Sequence, residues 1–260
     1  MFLGLTPNVF ATGAINTVDE NVMDGALLQR GYPQVYLDNL SDSAKESLYN
    51  KPNLEFEGGV VTTYDEETGE YINFDIPANG IQTRGQIPAS DLSLTWGISR
   101  STTSDYVFVT YSYEWNKTPF NRYQDPIAIS WDGDCFAPVD GTFYKVDYYT
   151  TADIDGSVHR HIESESHNYA NGSNEGVSWY ADLVDIPAGP VSTLYGHGEI
   201  WLNPKKSEFT TIFFGHYVHN LSAVGLSLPI PSYGMSFSVS GGLAYDEIGT
   251  QRTYSYPFGK

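Results

Sequence analysis

The run His159-Arg160-His161-Ile162-Glu163-Ser164-Glu165-Ser166-His167 holds three of the six histidines in the chain. In an extended strand it sends His159, His161, Glu163, Glu165 and His167 to one face, because side chains alternate. Neutral imidazoles beside carboxylates suit zinc, manganese or iron, so His159, His161, Glu165 and His167 form the candidate transition-metal set. Asp153-Ile154-Asp155-Gly156 and Asp132-Gly133-Asp134 offer oxygen ligands of the kind calcium takes about six to eight at a time. Both also read as Asp-Gly turns that need no ion. The bland reading of the histidine run is a solvated polar hairpin, and no cofactor is required by the sequence.

A second kind of chemistry lies in Tyr195-Gly196-His197-Gly198-Glu199-Ile200-Trp201. With Leu194, Ile200 and Leu202 facing a core, the opposite face carries Tyr195, His197, Glu199 and Trp201, the candidate ligand-binding set. Flat rings beside a hydrogen-bonding carboxylate can stack on a glycan or anchor a protein partner. The competing expectation is that a second sheet or the N-terminal helices cover this face. No catalytic residue is assigned. Gly-x-Ser-x-Gly and His-Glu-x-x-His are both missing, and 32 acidic residues are too many to single out a glycosidase pair.

His159-x-His161, Glu165 four positions on and Gly172 beyond it resemble the first metal motif of the cupins. His216 with Asn220 is similar to the end of the second. The likeness runs only from His159 to Gly172, and no Pro-x-Gly element precedes His216. What it implies is a metal-bearing, cupin-like or carbohydrate-active enzyme, held here as an alternative.

The elements that must position these residues are mostly strands. In Leu92-Ser93-Leu94-Thr95-Trp96-Gly97-Ile98 every second residue is apolar, the period of a pleated strand with one face buried. The pattern recurs at Ile72/Phe74/Ile76, Val107/Val109/Tyr111/Tyr113/Trp115, Ile127/Ile129/Trp131, Val177/Trp179/Ala181/Leu183 and Met235/Phe237/Val239. Roughly ten or eleven strands follow. Turn pairs such as Asn79-Gly80, Asp140-Gly141 and Gly241-Gly242 punctuate them. The stretch from about 150 to 176 is polar on both faces and reads as a protruding hairpin. Only residues 19 to 50 look helical, with Asp24 leading one helix that stops at Gly31-Tyr32-Pro33. Ser41 caps a second that ends before Pro52.

The expected fold is therefore all-β, an antiparallel β-sandwich or jelly roll with a short helical N-terminal segment. Residues 1–18 read as an export-signal remnant or N-terminal arm, and 19–260 as a single β-sandwich domain. The apolar stretch Phe2 to Phe10, if retained, suits donation as a strand to a neighbouring subunit. The net charge of −19 repels phosphate backbones, which excludes nucleic acid as a partner class. No apolar run reaches the length of a transmembrane helix. Cys135 is the single cysteine, so no internal disulfide forms. These features together suggest a secreted or cell-surface bacterial protein, acting by binding a glycan or protein or by self-assembly into an oligomer or filament. A pore-forming, toxin-like protein is the other alternative, from the alternating Ser/Thr-rich segment Ser232 to Ser240.

Overall fold

The computed structural model describes residues 19–78, 90–153, 155–169, 171–183, 191–221, 233 and 245–257. Three helices come first: α1 (Glu20–Gln29), α2 (Gln34–Leu37) and α3 (Asp42–Tyr49). Thirteen strands follow among the described residues. They are β1 (Leu54–Tyr64), β2 (Tyr71–Pro77), β3 (Leu92–Ser101), β4 (Val107–Trp115), β5 (Gln124–Ser130), β6 (Phe136–Pro138) and β7 (Tyr144–Ala152). The rest are β8 (Val158–Ser166), β9 (Asn171–Ser173), β10 (Gly176–Asp182), β11 (Val191–Pro204), β12 (Phe209–Asn220) and β13 (Tyr245–Tyr256).

The larger sheet runs β2-β1-β3-β4-β11-β7-β8, with β6 paired to the end of β11, and the smaller runs β13-β12-β5-β10-β9. Every pairing is antiparallel. The chain is thus an all-β, sandwich-like fold with a helical layer on one outer face. Between the sheets lies one core, to which alternate residues of β3 (Leu92, Leu94, Trp96, Ile98), β4 (Val107, Val109, Tyr111, Tyr113, Trp115) and β10 (Val177, Trp179, Ala181) contribute. Period-two alternation in the sequence picked out these residues because each strand needs an apolar face toward its partner sheet.

The other face of the larger sheet is also covered. Leu27, Tyr32, Tyr36, Leu37, Ala44 and Leu48 of the helical segment pack on Phe56, Val61 and Phe108 of β1 and β4. The polar or small residues between the core positions, Thr95, Ser99, Thr110 and Ser112, are therefore buried under helices and not open to water. Helix α1 begins one turn earlier than Asp24: Asp19 is the N-cap, its carboxylate accepting from Asn21 N at 2.9 Å. Gly31 adopts φ +84, a left-handed turn that frees the chain to fold back toward the sheet. Ser41 stands at the N-cap of α3 as expected, although its hydroxyl meets the Ser43 hydroxyl and the Gly196 carbonyl and bonds no helix N–H.

The polar stretch expected as one protruding hairpin divides between the two sheets: β8 is the edge of the larger and β9 the edge of the smaller. The expectations for residues 1–18, the donor strand Phe2 to Phe10, Met235/Phe237/Val239 and the segment Ser232 to Ser240 fall outside the described residues, Tyr233 apart. No described helix is long and apolar enough to cross a membrane.

Candidate ligand-binding cleft

Four of the five tryptophans, Trp96, Trp115, Trp131 and Trp179, are sealed in the core between the sheets. Trp201 is the fifth, and it is only partly buried. It projects from the helix-facing side of β11, directly opposite Phe108 of β4, and their rings meet at 4.9 Å with a 56° tilt. Its backbone is clamped on the other side by the β6–β7 loop. Val139 N donates to the Trp201 carbonyl at 2.9 Å, and Trp201 N donates to the Thr142 hydroxyl at 3.2 Å.

Around this indole three loops converge on a cleft of about 410 Å³, inside the range of about 300 to 1,000 Å³ typical of small-ligand sites. The turn after α3 supplies Lys51, Pro52 and Asn53, the β3–β4 hairpin supplies Ser101, Thr103, Ser104 and Tyr106, and Val139 and Thr142 complete the wall. The hairpin is docked onto the turn by Thr102 N donating to the Asn53 carbonyl at 2.8 Å. Its own bend is held by Ser101 Oγ, which accepts from Ser104 N at 3.2 Å. Tyr106, just before β4, is 41% exposed.

Beneath the cleft the larger sheet is joined to α3 by a polar seam. Lys51 Nζ donates to Glu199 Oε1 at 2.8 Å and to Ser47 Oγ at 2.6 Å, and Ser47 Oγ donates to the other Glu199 oxygen. His197 Nδ1 meets Ser43 Oγ at 2.9 Å, and its Nε2 lies 3.5 Å from Glu199 Oε2. Burial alone would raise the Glu199 carboxyl, but hydrogen bonding and charge from His197 and Lys51 bring it down to about 2. The Ser43–His197–Glu199 order is that of a nucleophilic relay. Ser43 is only 3% exposed, on the face of α3 turned to the sheet, so no acyl group can reach its oxygen in this arrangement.

The four aromatic-strand residues therefore separate. The expected parity holds: Tyr195, His197, Glu199 and Trp201 all face away from Leu194, Ile200 and Leu202. That face is not open, however. Helix α3 seals His197 and Glu199, and Tyr195 is stacked on Tyr148 at 5.4 Å, leaving Trp201 at the cleft. The lining loops were not picked out from the sequence. Asp140-Gly141 was legible as a turn, but nothing local indicates that it meets a hairpin some forty residues upstream.

The histidine run is corrected by its backbone. Strand β8 pairs Val146 with Glu165 and Tyr148 with Ile162, so the register shifts by one residue and Glu163 is bulged out. A bulge reverses which side chains share a face. His161 consequently stacks on Tyr149 at 4.8 Å on the core side, with His159 in the same parity and 3.0 Å from Asp153. Glu165 and His167 point to the helix side, where His167 meets the Tyr144 ring at 5.1 Å. The second half of the cupin-like pattern is on the other sheet, where His216 of β12 lies 3.7 Å from Glu247 and Asn220 N donates to Asp125 at 2.9 Å. Burial pulls the His216 imidazole below its ordinary pKa. The acidic loops close on themselves: Asp155 Oδ1 accepts from Ser157 N at 2.9 Å, and Asp132 Oδ1 from Asp134 N at 2.8 Å. Cys135 Sγ, buried in that second turn, donates to Asp132 Oδ2 at 3.3 Å. Among the described residues no three His, Cys, Asp or Glu side chains assemble in a metal-holding group.

No family model matches the chain. No curated protein matches it in sequence. Among the solved structures that it resembles is one described as "Pore forming protein", aligned at a TM-score of 0.29 and 10% identity over 64% of this chain and 88% of that one. Likeness of that degree leaves function to be read from the site.

Proposed function

We propose that this chain is a binding protein of the cell exterior or cell surface, which holds a small ligand in the cleft over Trp201 without covalent chemistry. The observation that carries this reading is Trp201 itself, the one tryptophan not withdrawn into the core, set where three loops converge. Large aromatic rings left open in a well-formed cleft are the usual anchors of recognition. Among the described lining residues Lys51 is the charged one, and its amine is tied to Glu199 and Ser47, which suits binding better than proton transfer. The charge of −19 and a single, buried cysteine agree with an exterior setting. Fractionation that found the chain wholly in the cytosol would remove that part of the proposal.

Acrylamide quenching tests the cleft. Trp201 is expected to supply the quenchable fraction of tryptophan emission, and cleft ligands to protect it. A screen of small neutral compounds should give protection that is lost in the cleft-filling variant Ser104→Phe. Protection by no compound, or equal protection in that variant, would refute the reading.

Self-assembly has one surface in its favour. Val158 and Ile162 are 63% and 53% exposed on β8, an edge strand paired only with β7 among the described residues. If this edge joins copies, Ile162→Lys converts oligomer to monomer in size-exclusion chromatography. An unchanged elution volume rejects it.

A further inference from the structure

We infer that the occupant of the Trp201 cleft is a neutral pyranose glycan, its apolar ring face laid on the indole and its hydroxyl edge turned toward the loops. The inference rests on the binding reading above and names the ligand class. Charge narrows the choice first. An anion would enter a molecule of net charge −19, past Asp105 in the β3–β4 hairpin. A cation would find no carboxylate on the lining, where Lys51 is the charged side chain. Because Lys51 and Glu199 neutralise one another at 2.8 Å, the floor offers no net charge to either. A neutral ligand remains.

Shape and chemistry narrow it further. The Trp201 backbone is fixed by the two hydrogen bonds from the β6–β7 loop, and its indole is backed by the Phe108 ring. Preorganised aromatic surface lowers the entropy lost on binding. Tyr106 is on the same side of the sheet as Phe108, two residues earlier. It lines the same cleft as Trp201. Two amphipathic rings thus line one cleft, and Pro52, Leu54 and Val139 add apolar wall. Around them Asn53, Thr103, Ser104 and the Tyr106 phenol form a rim of neutral donors and acceptors. A wholly apolar ligand would make no use of that rim. A pyranose presents C–H groups on its face and hydroxyls at its edge, the combination this cleft distributes between floor and rim.

Calorimetric titration of the full chain tests the assignment, using neutral β-linked gluco-, galacto- and chito-oligosaccharides, glucuronic-acid oligomers and cyclohexanol as an apolar probe. At least one neutral series is expected to bind. Trp201→Ala should weaken it at least about tenfold, with Trp201→Phe recovering part of the loss and both variants checked for an unchanged melting temperature. Glucuronic-acid oligomers should bind more weakly than their neutral counterparts. Cyclohexanol binding that depends on Trp201, with every neutral glycan silent, overturns the sugar and leaves the binding site standing. Silence from all probes overturns both. Equal or tighter binding of the acidic oligomers overturns the charge argument and with it the neutral assignment.

Discussion

The helical layer grips the larger sheet in two different ways. Over β1 and β3 the contact is mainly between rings: Tyr36 packs at 4.7 Å on Phe56, and Tyr32 at 5.1 Å on the same ring, with the Tyr32 and Ser99 hydroxyls hydrogen-bonded at 2.7 Å beside them. Gly59 and Gly97 stand beneath Tyr36, where an added Cβ would collide with its ring or its hydroxyl. Over β4, β11 and β8 the contact is mainly polar, through Ser41–Ser112, Ser43–His197, Ser47–Glu199–Lys51 and the paired hydrogen bonds of Arg160 to Glu46 at 2.8 and 2.9 Å. Burial of rings is non-directional and scales with area, whereas hydrogen bonds to ions fix position and are expensive to leave half-made. The apolar half thus supplies adhesion and the polar half supplies placement. Placement matters most where α3 ends, because the turn that follows forms one wall of the cleft.

Perturbing each half in turn should separate these roles. Tyr36→Ala carries the largest expected effect, a loss of about 3–5 kcal/mol in urea unfolding, as for other buried aromatic truncations. Adding Gly97→Ala should recover part of it by filling the space the ring leaves. If the double variant is no better than the single, the close approach is not what sets the fit. Glu199→Ala should lose about 3 kcal/mol, since it strands Lys51, Ser47 and His197 together. It should also weaken cleft ligands, which Tyr36→Ala in the surviving folded fraction should not. An effect on stability alone would mean that the seam does not place the turn.

Acidity distinguishes the members of the polar half. Glu199, brought down to about 2, contributes stability that is present above the ordinary carboxylate range and is lost only as pH falls toward about 2. Glu114 of β4 has the opposite sign: burial, then the nearby Asp42, raises it to about 7. Between about pH 4.5 and 7 the folded chain binds a proton there that the unfolded chain has released, so stability falls as pH rises, by about 2 kcal/mol. Glu114→Gln should flatten that slope in melts across the interval, and an unchanged slope would place its origin elsewhere. The smallest effect is expected from His159, His161 and His167 replaced together by alanine, within about 0.5 kcal/mol. A metal present in purified wild type and lost from that variant would contradict the separation of these histidines by the bulge.

Much of the architecture was legible because strands advertise their faces. Leu92 to Ile98 and Val107 to Trp115 alternate cleanly, and the parity of β11 was correct to the residue. Cover on the second face was less visible, since Thr95 and Ser112 look equally polar whether they meet water or a serine-rich helix. The one-residue bulge at Glu163 left no mark in composition, yet it divided the histidines between two sides. The cleft was hidden for a different reason. Its loops are ordinary turns, and their meeting depends on β4 and β11 pairing across more than eighty intervening positions.

Cys135 gives this chain an internal clock. Its thiol is enclosed in the β5–β6 turn, with the Cys135 carbonyl accepting from Lys205 N at 2.8 Å and Lys205 Nζ donating to the Gly133 carbonyl. Burial, then Asp132, raises the thiol pKa, so little thiolate forms while the turn is closed. Reaction with a small disulfide reagent therefore waits for the turn to open, and its rate records how often that happens. As the chain has no other thiol, a single exponential traces one event at one known position, near the join of β6 to β11, with no engineered probe.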